Sequence, residues 1–458
     1  MKAIIPLAML VVLPSHGQEA VLDLTELHSY ADQVVPPYIQ KDNTPPNNRI
    51  TDLGATLGRV LFYDKRLSTD GTVSCASCHQ QEHGFADPAV ASAGVAGVAG
   101  RHSMRLINSR FATERQFFWD ERAPTLEFQT SQPIQDHVEM GFSGIDGDPD
   151  LNDLVERISE IELYQVLFTG VYGDPAITEV RMQRAMAQFV RSIQSFDSKY
   201  DAGRAIAPND GAPFTNFTNE ENQGKQLFLG RPGAGPGGGG AGCAACHQPP
   251  EFDIDPNSGH NGVIASLGGG QDLTNTRAPS LRDVVNSEGL AHGGFMHNGS
   301  LPTLLDVINH YNAIPAVTQG LDPRLTIPGG PPGGPPPQPQ RLNLSDTQKD
   351  SLVAFLGTLT GTSVYSDPKW SSPFDESNNL SFVVLPATPS VEAGSGQVAV
   401  ATRGVPNVTY MLKTSPDMSQ WSEGIPVIAN AQGVVRYTLP QESADRFFTF
   451  TYVVPTGG

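Results

Sequence analysis

Cysteine is scarce in this sequence, and its placement excludes a disulfide framework. The chain has 458 residues but only four cysteines, all within two copies of one pattern, Cys75-Ala76-Ser77-Cys78-His79 and Cys243-Ala244-Ala245-Cys246-His247. Secreted domains that depend on disulfides carry paired cysteines outside such a motif. Because no cysteine is left over here, the repeated pattern itself needs a chemical explanation.

Basic residues and long apolar runs are also lacking. The chain has 29 Lys and Arg against 48 Asp and Glu, a formal net charge of −19. Binding to nucleic acid or anionic lipid depends on Lys and Arg, so the composition counts against both partners. No internal apolar run reaches the length of about 20 residues that spans a membrane. The acidic balance is that of a solvated surface, which would also attract a basic protein partner.

The N-terminus has the pattern of a secretory signal peptide. Lys2 precedes an apolar run over residues 3–13, and Ser15-His16-Gly17 supplies small residues before a cleavage point. The apolar run is too short to span a membrane. We therefore expect residues 1–17 to be removed during export, so that the mature chain is periplasmic or secreted.

The two C-x-x-C-H motifs predict two covalently bound c-type haems. The two thiols match the vinyl groups of haem, and the adjacent histidine binds the iron. The motifs lie far apart in the sequence, whereas the C-x-x-C pairs of a structural zinc site usually lie close together. We expect Cys75, Cys78, Cys243 and Cys246 to attach the haems and His79 and His247 to be their proximal ligands.

The last part of the chain has a strand-like residue pattern, whereas the preceding part has a helical one. Residues 381–385, 397–402, 408–413, 433–439 and 446–454 read as short strands separated by turn residues. Upstream, residues 151–161 and 180–193 have helical spacing, and a last helix is predicted after Ser345, with Gln348 completing a capping box. The residues after about 373 therefore predict a small β-sandwich-like module without chemistry of its own.

Several ordered motifs resemble those of the bacterial di-haem cytochrome c peroxidases, a family that includes the enzyme maturing the tryptophylquinone cofactor of methylamine dehydrogenase. The resemblance covers roughly residues 50–360. Its motifs, besides both haem sites, are Leu61-Phe62-Tyr63-Asp64-Lys65-Arg66-Leu67-Ser68, Phe118-Trp119-Asp120-Glu121-Arg122-Ala123-Pro124-Thr125-Leu126-Glu127, Ala278-Pro279-Ser280-Leu281-Arg282 and Phe295-Met296-His297-Asn298-Gly299-Ser300.

The resemblance implies a mainly α fold with two cytochrome c-like haem domains. The expected divisions are a signal peptide at 1–17, an N-terminal peroxidatic domain at 18–205, a C-terminal electron-entry domain at 206–372 and the β-rich appendage at 373–458. Trp119 would lie between the haems as an electron relay. The family places a distal Gln ten residues after this Trp and a catalytic Glu ten residues further on, which are Gln129 and Glu139 here.

The carboxylate of Glu139 could transfer a proton during peroxide cleavage. Cleavage of iron-bound peroxide requires moving a proton from the inner to the outer oxygen, so that water leaves. A carboxylate above the haem can carry that proton, and an amide such as Gln129 can orient the peroxide without competing for it.

Three positions depart from the family pattern. The histidine that caps the resting peroxidatic haem falls at Val95, which cannot bind iron, so we predict an open haem; His83 and His102 are the alternative caps. The methionine expected as sixth ligand of the other haem falls at Tyr311. It is either a core tyrosine or, as in the cofactor-maturing relative, the ligand, with Met296 as the fallback.

The third departure concerns an inter-domain calcium ion. The family's Asn ligand aligns with His102, while Thr276 and Ala278 occupy the other two ligand positions and would offer their carbonyls. Calcium prefers oxygen ligands. The substitution of an imidazole therefore counts against calcium at this site.

Three functions are consistent with these residues. The first is a peroxidase that reduces hydrogen peroxide to water with electrons from a small cytochrome or cupredoxin. The second is a peroxide-driven oxidase of a protein or organic substrate, acting through a high-valent haem state, which Tyr311 and the missing cap favour. The third is a non-enzymatic electron carrier, for which Glu139 and Gln129 would be unnecessary. A homodimer is compatible with all three.

Overall fold

The structure is a computed structural model that describes residues 20–113, 115–233, 239–254, 258–275, 277, 279–315, 319–327, 338–385, 388–394, 396–440 and 447–455. The predicted signal peptide, Thr276 and Ala278 lie outside these residues. The helices of the described residues are α1 (Asp52–Tyr63), α2 (Cys75–Cys78), α3 (Leu126–Ser131), α4 (Leu151–Ser159), α5 (Glu162–Tyr172), α6 (Glu179–Ser192), α7 (Lys199–Arg204), α8 (Asn219–Leu229), α9 (Leu304–Asn312) and α10 (Asp346–Gly357).

The strands divide into short pairs and one sandwich. The short ones are β1 (Val21–Asp23), β2 (Ala93–Gly94), β3 (Gly97–Val98), β4 (His247–Gln248), β5 (Asp253–Ile254), β6 (Thr326–Ile327), β7 (Gln338–Pro339) and β8 (Ser381–Val383). The sandwich strands are β9 (Ser390–Gly394), β10 (Gln397–Arg403), β11 (Thr409–Ser415), β12 (Ile425–Ile428), β13 (Val434–Pro440) and β14 (Phe447–Tyr452).

Two helix pairs repeat the same arrangement in the two halves of the chain. Helix α1 packs on α6, and α8 packs on α10. Each pair approaches at a glycine: a Cβ on Gly58 would lie 2.0 Å from the Ala185 carbonyl oxygen, and one on Gly224 would lie 1.8 Å from that of Ser351. Any side chain there would push the helices apart. A C-x-x-C-H motif follows the first helix of each pair, so each half is built as one helical unit around its own motif.

Each unit has its own apolar core, but the units are less regular than the mainly α prediction implies. Phe228, Phe252 and Phe355 belong to the core of the second unit. Long loops connect the helices and supply most of the residues around the motifs. The predicted helices at 151–161, at 180–193 and after Ser345 are confirmed as α4, α6 and α10, and Ser345 does accept from the Gln348 backbone N–H.

The β-module, strands β9 to β14, is a sandwich of two three-stranded sheets. One sheet has the order β13-β10-β9 and the other β12-β11-β14, with all neighbours antiparallel. Alternate side chains such as Val400 and Leu412 are fully buried between the sheets. The predicted strand positions are confirmed for β8, β10, β11, β13 and β14, whereas β9 and β12 were not predicted.

The β-module is packed against the first unit. Val405, Val408 and Tyr410 share one core cluster with residues of α1 and α5. A Cβ on Gly170 of α5 would lie 2.6 Å from Val405, and the Asn407 amide donates to the Gly170 carbonyl at 3.1 Å. In addition, β1 near the start of the described chain pairs in parallel with β8. The module is therefore fixed to the first unit.

Tyr410 ties the β-module to this junction, and we expect Tyr410→Phe to lower the free energy of unfolding by about 1–3 kcal/mol. Its buried hydroxyl accepts from the Val405 N–H at 2.7 Å and donates to the Val384 carbonyl at 3.1 Å, so its loss leaves both groups without that partner. Denaturant unfolding measures the change. Tyr437→Phe, on a half-exposed tyrosine of β13, is the control and should leave the midpoint unchanged.

Candidate functional site

The first C-x-x-C-H motif forms a single helical turn on the wall of a large cavity. Ser74 caps this turn and its N–H donates to the Ser77 hydroxyl at 3.0 Å. Cys75, Cys78 and His79 line a cavity of about 710 Å³. The space is large enough for a porphyrin-sized group, since small-molecule sites are typically about 300–1,000 Å³.

His79 is oriented as a metal ligand. Its Nδ1 lies 3.1 Å from the Phe85 carbonyl oxygen. Because a carbonyl only accepts, Nδ1 carries the proton, which leaves the Nε2 lone pair as the one that a metal would use. Burial lowers the pKa of His79, which keeps the ring neutral and able to bind iron.

The second motif lines a second cavity. Gly242, in the left-handed region with φ of 75°, turns the chain into a short 3₁₀ segment over Cys243–Ala245. Cys243, Cys246 and His247 line this cavity. Burial lowers the pKa of His247 to about 4, although the Phe252 backbone works in the opposite direction. Both predicted proximal histidines are therefore neutral.

The separation of the two motifs argues against a shared zinc site. Each cysteine pair lines a different cavity, so the four thiols do not converge. Within the described ranges, no group of three or more His, Cys, Asp or Glu side chains could hold a metal ion. Burial raises the pKa of Cys75 and of Cys243 to about 12, so both thiols are protonated.

One wall separates the two cavities and lines both. Its members are His102, Ser103, Met104, Arg105, Trp119 and Arg277. The Trp119 indole Nε1–H donates to the His102 carbonyl at 2.8 Å, and the Trp119 carbonyl accepts from the Arg277 N–H at 3.0 Å. Trp119 is thus held on the wall that the two cavities share.

The residues of both cavities fit haem. Five arginines line them in a chain of net charge −19: Arg101, Arg105, Arg122, Arg277 and Arg324. Haem propionates are anions, and arginine binds carboxylates with paired hydrogen bonds. Arg105 Nε is buried without a hydrogen-bond partner among the described residues, and burial lowers the pKa of this guanidinium to about 10. The sequence reasoning did not single out these arginines, although their density in an acidic chain was a usable signal.

Gln129 and Glu139 both line the first cavity, which His79 also lines. Gln129 is on α3, whose start is fixed by the Thr125 hydroxyl accepting from the Phe128 N–H. Glu139 follows in a turn where the Asp136 carboxylate accepts from the Glu139 N–H at 3.0 Å. Burial and the negative charge of Asp136 raise the pKa of Glu139 to about 7, against a smaller lowering by Arg122.

Of the three positions considered for the haem cap, His102 alone is among the described residues lining the first cavity. The Val95 N–H donates to the Glu139 carbonyl at 3.1 Å, and its side chain packs into the core of the first unit. His83 lies beside His292, with ring centroids 6.4 Å apart. The His102 ring is held at Nδ1, 3.1 Å from the Val90 carbonyl oxygen.

Tyr311 and Met296 both line the second cavity, so the structure brings together both candidates for the sixth ligand. Asn261 connects them: its amide donates to the Met296 sulfur at 3.1 Å and its side chain also hydrogen-bonds Tyr311. Burial raises the pKa of Tyr311, which keeps the phenol protonated in the absence of a metal.

Carboxylates line the same cavity as His102, the position at which the family's calcium ligand aligns. The carboxylates of Asp120 and Asp272, which line the same cavity, each bind Arg101 at 2.8 Å. Calcium requires several oxygen ligands. The other two predicted ligands, Thr276 and Ala278, lie outside the described residues.

Comparison with known proteins identifies relatives along most of the chain. A family model described as di-haem cytochrome c peroxidase matches residues 53–205. Methylamine utilization protein MauG of Methylophilus methylotrophus is 31% identical over 333 residues, covering 69% of this chain and 85% of that protein. Cytochrome-c peroxidase IdrP1 of Denitromonas iodatirespirans is 26% identical over 366 residues, covering 71% and 86%.

A solved structure agrees with these matches. The crystal structure of a MauG-like protein associated with microbial copper homeostasis has a TM-score of 0.55 and 26% identity, and the match covers 74% of this chain and 98% of that one. Among the residues that the structure describes, none of the helices is both long and apolar enough to cross a membrane.

Proposed function

This chain belongs to the di-haem cytochrome c peroxidase family, and we propose that it reduces hydrogen peroxide to water with electrons from a small redox protein. The observation that carries this function is the placement of Glu139 and Gln129 on the wall of the cavity that Cys75, Cys78 and His79 also line. An electron carrier would need neither residue.

Each residue of the first cavity has a defined task in this reaction. When bound, the haem supplies an iron that accepts peroxide and exchanges electrons with it. The Glu139 carboxylate takes the proton of one peroxide oxygen and delivers it to the other, which leaves as water. The Gln129 amide orients the peroxide by hydrogen bonding. A pKa near 7 suits Glu139 to both taking and giving a proton.

The second cavity serves electron entry in this proposal. We assign the covalent attachment of its haem to Cys243 and Cys246 and the proximal ligand to His247. Trp119 on the shared wall gives electrons a route towards the first cavity. A basic donor protein would be attracted by the net charge of −19. The predicted signal peptide would place the reaction outside the cytoplasm.

Tyr311 favours a second candidate function, a peroxide-driven oxidase of a protein or organic substrate. An oxygen ligand at the second haem would lower its reduction potential relative to a thioether, which favours a longer-lived oxidised state. The presence of Tyr311 on the wall of the second cavity is the observation that supports this reading.

One stopped-flow experiment distinguishes these functions. The oxidised holoprotein is mixed with hydrogen peroxide and then with reduced cytochrome c. Rapid turnover of the cytochrome is the result expected for a peroxidase. A long-lived oxidised protein with little turnover would support the oxidase instead. Haem spectra that do not respond to peroxide would mean that only the function of a non-enzymatic electron carrier remains.

Substituting each of the two candidate sixth ligands in turn should show which one binds the second iron. If Tyr311 binds the second iron, Tyr311→Phe will raise the potential of that haem, because an anionic oxygen ligand stabilises the ferric state. Met296→Leu should then leave the potential unchanged. Redox titration followed by absorbance measures both variants. A near-infrared sulfur-to-iron band in the starting protein that disappears in Met296→Leu would identify Met296 as the ligand.

A further inference from the structure

Four tyrosine hydroxyls in the described part of the chain donate to carboxylates, and one of these pairs differs from the rest. The pairs are Tyr38–Asp201, Tyr164–Asp64, Tyr200–Asp210 and Tyr365–Asp283. In the first three, the carboxylate also forms an ion pair with an arginine: Arg282 with Asp201, Arg66 with Asp64 and Arg204 with Asp210. An ion-paired carboxylate is a weak proton acceptor.

Asp283 forms no ion pair within 4 Å among the described residues. It is fully buried, and one of its oxygens accepts from the Tyr365 hydroxyl at 2.7 Å and from the Gly361 N–H at 2.8 Å. The adjacent Arg282 is bound to Asp201 instead, at 2.9 Å. Asp283 is therefore a carboxylate that can take up the phenol proton without breaking a salt bridge.

Tyr365 lies beside the Gly84–Phe85 loop, which holds the proximal histidine proposed for the first cavity. A Cβ on Gly84 would be 3.6 Å from the Tyr365 ring, and the next residue, Phe85, provides the carbonyl that holds His79 at 3.1 Å. The His292 ring stacks on the Tyr365 ring at 5.1 Å, with its Nε2 3.2 Å from the hydroxyl oxygen. Tyr365 is half-buried and its neighbour Ser366 is exposed, so the ring lies near the protein surface.

Trp119 has no carboxylate hydrogen-bonded to its indole N–H among the described residues, whereas the Tyr365 hydroxyl has one. Its indole N–H donates to the His102 backbone carbonyl, a group that does not accept a proton outright. An oxidised Trp119 would keep its proton and remain a strong oxidant, which suits a relay. An oxidised phenol is a strong acid, and a carboxylate at 2.7 Å can remove its proton at once.

We propose that Tyr365 is a redox-active residue. After peroxide has oxidised the haem pair, Tyr365 donates one electron to the haem pair while its phenol proton passes to Asp283. The inference rests on the proposed function. The haem pair supplies the two electrons that, with two protons from solvent, convert hydrogen peroxide to two waters. Tyr365 then returns one electron to the haem pair, and the second oxidising equivalent stays on the haems. The products on the protein are a neutral phenoxyl radical at Tyr365 and an aspartic acid at Asp283.

The acid–base properties of the pair agree with this step. Burial and the charge of Asp283 raise the pKa of Tyr365, so the reduced phenol keeps its proton. Burial also raises the pKa of Asp283, which makes its carboxylate a better acceptor when the phenol is oxidised. Proton and electron therefore leave Tyr365 together.

Rapid-freeze electron paramagnetic resonance tests this proposal on the holoprotein mixed with hydrogen peroxide, while stopped-flow absorbance follows the haems. We expect an organic radical whose spectrum narrows when the protein is made with ring-deuterated tyrosine, and which Tyr365→Phe abolishes. Tyr63→Phe is the matched control. Tyr63 packs beside Phe62, which lines the first cavity, but its hydroxyl donates to the Trp370 backbone carbonyl at 2.6 Å, and among the described residues no carboxylate accepts from it. The signal should persist in this variant.

Asp283→Asn tests the proton acceptor, because an amide cannot take the phenol proton. The Tyr365 radical should be lost in this variant and restored in Asp283→Glu. A tyrosyl signal that survives in Tyr365→Phe, with normal reaction of the haems with peroxide, would overturn the inference alone. A radical that survives in Asp283→Asn would overturn the role of Asp283. Haems that do not respond to peroxide would overturn the proposed function and this inference with it.

Discussion

Glu139→Gln should slow the reaction of the oxidised holoprotein with hydrogen peroxide by about 10²–10⁴-fold, the usual contribution of a positioned acid–base group. Glutamine has nearly the same shape and can still hydrogen-bond peroxide, but it cannot carry the proton between the two oxygens. The absorbance spectra of both haems should stay nearly unchanged, because Glu139 is not one of the residues assigned to attach haem or bind iron. Stopped-flow absorbance against peroxide concentration gives the second-order rate constant.

The same reaction should depend on pH with a defined sign. Glu139 must be ionised to accept the proton, and burial raises its pKa to about 7. The rate constant should therefore rise as the pH increases through about 7 and level off above it. In Glu139→Gln this dependence should be absent.

Asp136→Asn provides the matched control for this interpretation. The negative charge of Asp136 contributes to the raised pKa of Glu139, so its removal should move the midpoint of the pH profile to lower pH. An asparagine oxygen can still accept from the N–H groups of Val138 and Glu139, which the Asp136 side chain now binds at 2.8 and 3.0 Å. A Glu139→Gln variant that reacts as fast as the starting protein would contradict the role of Glu139.

Local patterns in the sequence predicted the parts of the fold that depend on neighbouring residues. The helix at α10 follows from its capping residues Ser345 and Gln348, and the strands of the β-module follow from alternating residues between turns. The structure of the loops was harder to predict, because it depends on contacts between residues far apart in the sequence. The pairing of β1 with β8 joins residues 360 positions apart, Val21 and Ser381 among them, and no local pattern predicts it.

In the candidate site, too, local motifs could be predicted from the sequence, whereas contacts between distant residues could not. The haem motifs are local and were recognised directly, and the spacing of Trp119, Gln129 and Glu139 came from the family resemblance. The wall between the cavities is different, because it combines the segment around His102 with Trp119 and Arg277, which are distant in the sequence. Asp283 and Tyr365 were missed for the same reason: their hydrogen bond joins residues 82 positions apart.

Replacing both cysteines of one motif should reduce the covalent haem content from two per chain to one, because each pair lines a separate cavity. Cys243→Ala with Cys246→Ala should keep the first haem and its reaction with peroxide, but lose turnover with reduced cytochrome c. Cys75→Ala with Cys78→Ala should remove the reaction with peroxide itself. Intact-protein mass measured under denaturing conditions counts the haems, and it does so even if a variant is unstable.

The control for these variants is Ala245→Ser, which makes the second motif identical to the first, Cys-Ala-Ser-Cys-His, and leaves both thiols and His247 in place. It should keep two haems. If the four cysteines instead held one shared metal, either double variant would abolish that site completely and neither would retain a single haem. A chain that loses both haems in one double variant but keeps its fold would therefore contradict two independent attachment sites. The count after each substitution decides whether this acidic chain uses all four of its cysteines for haem.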